Sequence, residues 1–464
     1  MSSQSFEEQS AQPWEMQPSP LDNSVPAAAV APCPTRYGRL IQVSENDGHI
    51  KLNFEHHHTK NPASFSNLWF RDSCLCEKCV SESSGQKRFA TCDIDANPEV
   101  ESCKVTDNGG LELVWANDSV TGGGRHTSVF PLEFLQQVVM YHGGLQRHWR
   151  FTPQRVLWNK DQFEDDMSAR TISYDDWMAG GELFAKAFLD LHKWGLVLLQ
   201  GVPESHDSVQ DIASKIGNLQ LTFYGLTWDV ISKPNAENVA YTNEFLCLHQ
   251  DLLYWKETPK IQLLHCLKNE CEGGESLFSD GLRAALELKT NHHEHYKVLT
   301  KVPVSFHYGK HGNFYYDCRP AIAQMHGFPV RVNWSPPFQA PFTHNPHQFG
   351  NGRLHRWRDA ARTFRDILET PANMLQYRLR PGECILFDNQ RILHGRTRFD
   401  TSAGLRHLRG GYIDDYTLAS ALVRLGKQGA LGALNKQCTS EHGSMEQSIY
   451  QTEMMHRQRE NVKA

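Results

Sequence analysis

His249 and Asp251, one residue apart in LCLHQDLLYW, stand just ahead of the apolar run KIQLLHCL; a second histidine, His394, follows the run ECILFD. Short apolar runs bounded by turn residues read as strands buried on both faces. Pro381-Gly382 supplies the turn before Glu383 to Asp388. A chain of this pattern must bring strands far apart in sequence into one interior, with metal-binding side chains beside them. Two neutral imidazoles and one carboxylate on one side of an iron leave three coordination positions open, the arrangement of non-haem Fe(II) oxygenases. Arg406, beyond the second histidine, can grip the far carboxylate of a 2-oxo acid in a bidentate pair. Each part is weak alone. With 24 histidines, an H-x-D triplet arises about once by accident in such a chain. The inference comes from the joint pattern, with both ligand sets beside strands rigid enough to fix a metal's geometry.

Composition narrows the classes. The chain has 464 residues, 39% hydrophobic and 22% charged, enough for a large core. Its net charge of -6, with acids and bases interspersed, offers no basic footprint for nucleic acid. No apolar run approaches the ~18 residues of a membrane span. Residues 1–35 are rich in Ser, Gln, Pro and Ala and carry Glu7, Glu8, Glu15 and Asp22 before the first basic residue, Arg36. They read as a disordered tail, and their acidity argues against a mitochondrial presequence. The twelve cysteines are scattered, with no secretory leader, which fits a reducing compartment. A cytoplasmic protein is the expectation.

Between the tails two parts are expected: a small domain over 36–145 and a larger one over 146–430, followed by a polar tail, 431–464. The first holds strand-like runs GRLIQVSE, HIKLNF and LELVWA. The second alternates helices and strands. A helix is expected after Ser173, whose S-x-x-D pattern resembles a capping box, burying Leu183, Phe184, Ala187, Phe188 and Leu191 and ending at Gly195. The strand GLVLLQGV follows. Val209–Ile216, Trp357–Leu368 and Leu418–Leu425 give three further amphipathic stripes, all read as core.

Cys74, Cys76 and Cys79 crowd together in WFRDSCLCEKCV. Thiolates this close rarely pair well with one another but can wrap a tetrahedral zinc, closed and structural. Spacing leaves the fourth ligand open among His126, Cys92, Cys103 and the histidines at 56–58. Three free buried thiols are the plainer alternative.

From about residue 65 to 425 the chain resembles the gamma-butyrobetaine dioxygenase family of Fe(II)/2-oxoglutarate oxygenases. NLWFRDSCLCEKC resembles the family's zinc segment, and LTFYGLTWDV with NVAYTNEFLCLHQD its substrate and iron segment. IQLLHCLKNECEGGESLFSDG and RPGECILFDNQRILHGRTRF resemble its core strands. The resemblance implies a mainly β chain with flanking helices, a double-stranded β-helix (jelly-roll) core behind a small zinc domain, and a homodimer. It implies hydroxylation of gamma-butyrobetaine to L-carnitine with Fe(II), 2-oxoglutarate and ascorbate. Trimethyllysine or another amine as substrate, or an inactive binding protein, are the alternatives. It assigns His249, Asp251 and His394 to iron, Arg406 to 2-oxoglutarate, and Cys74, Cys76, Cys79 and His126 to zinc. Tyr224, Trp228, Tyr241 and Tyr412 match an aromatic cage for a trimethylammonium head, which faces of aromatic rings hold without hydrogen bonds. Asn238 and Asn333 match residues near the substrate carboxylate. The chain departs from the pattern at Leu252, where the family has a tyrosine.

Overall fold

The computed structural model describes residues 38–55, 63–140, 155–165, 167–231, 242–325, 327–342 and 352–427. In the N-terminal part, alternation sets the strands. Ile50, Leu52 and Phe54 point inward from His49–Phe54, and Leu111, Leu113 and Trp115 from Leu111–Trp115. Two three-stranded antiparallel sheets result, and their inward residues share one cluster with Phe70 and Phe130. The helix Asn67–Asp72, capped by Ser66 Oγ on the Trp69 amide, leads directly into the cysteine cluster.

The larger part is built on two sheets. The first orders its six strands as Thr171–Ser173, Leu196–Gln200, Glu383–Asp388, Ile261–Asn269, Arg406–Ile413 and Thr227–Ile231. The second orders Leu246–His249, Ile392–Arg396, Ser276–Asp280 and Met374–Tyr377. Every pairing is antiparallel except that of the first two strands named. One face of the six-stranded sheet (Val197, Leu199, Ile261, Leu263, Leu386, Ile413) packs on helices carrying Phe184, Phe188, Ile212 and Leu422. The opposite face (Leu198, Leu264, Ile385, Phe387, Leu408) meets Phe278, Leu375 and Ile392 of the four-stranded sheet. Both faces are thus covered, which explains the continuous apolar runs in the sequence. A third cluster joins the helices Gly281–Asn291, His293–Lys301 and Arg353–Leu368 to the hairpin of Pro303–Lys310 and Asn313–Pro320. No described helix is long and apolar enough to cross a membrane.

Two sequence expectations change here. The helix after Ser173 is two helices, Tyr174–Ala179 and Gly181–Trp194. Gly180 and Gly181 have φ of 78° and 74°, outside the right-handed helical region, so the chain breaks there. Leu183 is 55% exposed rather than buried, being about 100° round the helix from Phe184, beyond the edge of the core stripe. Gly195 does end the second helix, in the left-handed conformation. His394 lies within a strand of its own, Ile392–Arg396, after a turn that closes the Glu383–Asp388 strand.

Candidate active site

Pairing of the Leu246–His249 and Ile392–Arg396 strands sets His249 directly opposite His394. Their rings lie 4.3 Å apart between centroids. His249 Nε2 is 3.4 Å from Asp251 Oδ1, and His394 Nε2 is 3.8 Å from Asp251 Oδ2. One ligand atom from each residue falls within 4.8 Å of the others. The donor set fits a metal. His249 Nδ1 is 2.9 Å from the Cys247 carbonyl, which fixes the proton there and turns the Nε2 lone pair to the site. Burial pushes the His394 imidazole down to about 3, so it stays neutral. Burial opposes ionisation of Asp251 too. The carboxyl is nevertheless held well below its usual range, with the Tyr412 hydroxyl donating to it.

The neighbours of Asp251 explain its pose. Its Oδ2 accepts from Gln262 Nε2 at 2.9 Å and from the Tyr412 hydroxyl at 2.7 Å. Its backbone N–H donates to Asn389 Oδ1 at 2.9 Å, and Asn389 Nδ2 returns a bond to its carbonyl at 3.1 Å. Fully buried Asn389 sits in the turn before His394, so both ligand-bearing stretches are latched together away from the metal position. Leu252, next in the chain, has φ of 58°, a conformation that costs a non-glycine residue about 1–2 kcal/mol.

A cavity lined by all three residues of this triad opens beside it. Tyr224, Trp228, Tyr254, Phe338 and Tyr412 form its aromatic wall, and Leu246, Leu252, Leu264 and Leu408 its aliphatic one. Trp228 and Tyr412 stack with centroids 4.1 Å apart. Arg406 and Arg396 both line the cavity and are both 4% exposed. Burial lowers the Arg406 guanidinium to about 10 and, with Arg406 nearby, Arg396 to about 9, so both remain cationic. Arg396 donates to the Thr242 and Glu244 carbonyls, whereas Arg406 Nε has no hydrogen-bond partner among the described residues. Gly274, with φ of 73°, lets the backbone run against Arg406; a Cβ there would stand 3.0 Å from its Nε.

The structure therefore brings together His249, Asp251, His394, Arg406, Tyr224, Trp228 and Tyr412. Asn238 and Tyr241 lie outside the described residues. Asn333 is buried at 2% exposure, donates to the Pro320 carbonyl and does not line the cavity. Gln262, Phe338 and Arg396 join the lining without having been singled out as site residues, and Tyr254, two positions beyond Leu252, joins it as well. Gln262 had a visible signal, a polar side chain inside an apolar strand.

In the N-terminal part, Cys74, Cys76 and Cys79 Sγ lie 3.4, 3.7 and 3.6 Å from His126 Nε2. Zinc bonds of about 2.3 Å to sulfur and 2.0 Å to nitrogen, at tetrahedral angles, separate those atoms by about 3.5 Å. The cluster thus fits zinc, with His126 as fourth donor among the candidates. Asp118, 3.9 Å from His126 Nδ1, is itself gripped by buried Arg71 at 2.6 and 2.8 Å. A carboxylate behind a histidine ligand orients such sites. Burial, with Cys74 nearby, raises the Cys79 thiol to about 12 although the Arg71 guanidinium donates to it, so a metal would have to supply the further charge that ionises it.

Comparison with known proteins follows the same division. The model of the taurine catabolism dioxygenase TauD, TfdA family matches residues 159–412, and that of the gamma-butyrobetaine hydroxylase-like N-terminal region matches residues 41–136. The dioxygenase str8 of Strobilurus tenacellus is 32% identical over 75% of this chain and 82% of its own length. The gamma-butyrobetaine dioxygenase of Pseudomonas sp. is 29% identical over 78% and 90%. The trimethyllysine dioxygenase of Meyerozyma guilliermondii is 28% identical over 80% and 93%.

Proposed function

We infer the chemistry from the family: this chain belongs to the TauD, TfdA dioxygenases, with a gamma-butyrobetaine hydroxylase-like N-terminal region, and is a 2-oxoglutarate-dependent dioxygenase. We propose that it hydroxylates a trimethylammonium substrate, gamma-butyrobetaine, to L-carnitine. The observation that carries the substrate class is the aromatic wall of Tyr224, Trp228 and Tyr412 beside the triad. A quaternary ammonium cannot donate hydrogen bonds and is best held by such faces in a dry pocket.

His249, Asp251 and His394 would hold the iron, which, with oxygen and 2-oxoglutarate, supplies the oxidising power and leaves succinate and carbon dioxide. Arg406, buried and with no partner for its Nε among the described residues, would take the far carboxylate of the oxo acid. Gln262 and Tyr412 fix Asp251, and Leu246, Leu264 and Leu408 keep water from the reacting carbon. Asn238 and Tyr241 are proposed substrate contacts on the family resemblance, as is Asn333 at one remove. Cys74, Cys76, Cys79 and His126 would hold a structural zinc. The same resemblance supports a double-stranded β-helix core behind a zinc domain, a homodimer, and ascorbate to keep the iron ferrous; composition supports the bounds 36–145 and 146–430, tails at 1–35 and 431–464, and a cytoplasmic protein.

Leu252 favours a second substrate of the same class. It puts an aliphatic side chain where the family has a tyrosine, so trimethyllysine is the rival. The test is incubation with iron, ascorbate, 2-oxoglutarate and a panel of trimethylammonium acids, with products identified by mass spectrometry. Hydroxylated gamma-butyrobetaine is expected. Faster turnover of trimethyllysine moves the substrate, and no turnover of any quaternary amine sinks the class.

A further inference from the structure

Tyr412 is where the aromatic wall and the metal-ligand set meet. Its ring stacks on Trp228 with planes 24° apart, and its hydroxyl donates to Asp251 Oδ2 at 2.7 Å. The residue is 2% exposed, so water does not compete for that bond. The other carboxylate oxygen, Oδ1, is the one 3.4 Å from His249. Gln262 donates to the same Oδ2 but takes no part in the ring stack. A cation against a phenol ring draws electron density from it, which makes the hydroxyl a stronger donor.

We propose that Tyr412 is a positioning residue linking the substrate seat to the metal. A quaternary ammonium on the Tyr412–Trp228 wall tightens the hydroxyl's bond to Asp251 and so changes how firmly that carboxylate holds its metal. No proton moves; the link is a change in hydrogen-bond strength. The inference rests on the proposed function and assigns Tyr412 a second task besides forming the wall. Linked sites are reciprocal: substrate changes metal affinity by the same factor as metal changes substrate affinity.

The full chain is titrated with Co(II), followed by its visible absorption, with and without gamma-butyrobetaine; gamma-butyrobetaine is then titrated with and without Co(II). Wild type, Tyr412→Phe and Gln262→Met are compared. Both variants strip one hydrogen bond from Asp251 and should weaken Co(II) about tenfold. Tyr412→Phe keeps the ring, so gamma-butyrobetaine should still bind the metal-free protein within about threefold of wild type. Only Tyr412→Phe should lose the linkage, its factor falling at least about threefold while Gln262→Met keeps the wild-type factor. Linkage retained in Tyr412→Phe, lost equally in Gln262→Met, or absent from wild type overturns the inference. A wild type that binds Co(II) but no gamma-butyrobetaine overturns the substrate reading, and the inference with it.

Discussion

Asp251 has one carboxylate oxygen occupied by Gln262 and Tyr412 and its backbone latched to Asn389, so little freedom is left for it to lose when a metal arrives. Preorganisation of this kind makes each ligand hard to replace. We predict that His249→Ala, Asp251→Ala and His394→Ala each abolish succinate formation from 2-oxoglutarate while leaving the far-ultraviolet circular dichroism unchanged. Near-native succinate production in any one of them would falsify the triad assignment. Arg406 is tested separately. Lysine in its place keeps the charge but loses the planar fork, so the KM for 2-oxoglutarate should rise far more than the Co(II) dissociation constant changes. Complete loss of the pair, as in Arg406→Met, costs about 2–5 kcal/mol. A KM that does not move in that variant rules the arginine out of this role. The triad and Arg406 were legible as a pattern because each is tied to a strand end or a nearby motif. Gln262, Phe338 and Arg396 were not singled out, because only strand pairing and the packing of distant loops decide which side chains face the same space.

At the scale of elements, the strand Arg406–Ile413 does most of the arranging. It starts at the arginine, pairs with Ile261–Asn269 on one side and Thr227–Ile231 on the other, and ends beside Tyr412. Gly410 pairs with Trp228, and a Cβ on Gly410 would stand 2.6 Å from the indole ring. The glycine therefore makes room for the aromatic wall. Gly410→Ala should displace Trp228 and reduce selection for a trimethylammonium head. Competitive turnover of gamma-butyrobetaine against 4-aminobutyrate measures this. Wild type should favour the methylated substrate by roughly 2–4 kcal/mol through cation–π attraction and methyl burial. Gly410→Ala should lose much of that preference with the KM for 2-oxoglutarate unchanged; equal preference in both proteins removes the wall from substrate choice. The buried strands were readable from their apolar runs. The break at Gly180–Gly181 was hidden because the apolar spacing continues across it, and the separate strand of His394 because a tight turn leaves no gap in the pattern.

For the whole molecule, two metal sites of different character should separate. A mild chelator should strip iron from the open triad first and leave about one zinc per chain on the three thiols and His126. Elemental analysis decides it, and a chain without zinc, or Cys74→Ser as stable as wild type, defeats the assignment. Stability should also carry a pH signature from His265, which is fully buried with neither ring nitrogen hydrogen-bonded among the described residues. Burial holds its imidazole down to about 4. The unfolded chain binds the proton nearer pH 6.5, so this residue costs no stability above that pH, and stability falls as the pH drops from 6.5 towards 4. Between pH 7 and 5 the loss is about 2 kcal/mol, and His265→Leu should remove it in urea unfolding curves. An equally steep acid limb in the variant defeats that account. Finally, His249 and His394 face each other across neighbouring strands although about half of the larger part of the chain lies between them. A ribosome releases the first histidine well before the second, so a nascent chain cannot assemble the metal centre until that later strand has emerged and docked. On the proposed assignment, iron capture is then a late event in the life of each molecule, and a truncated chain ending before Ile392 is spared oxidative chemistry it could not direct.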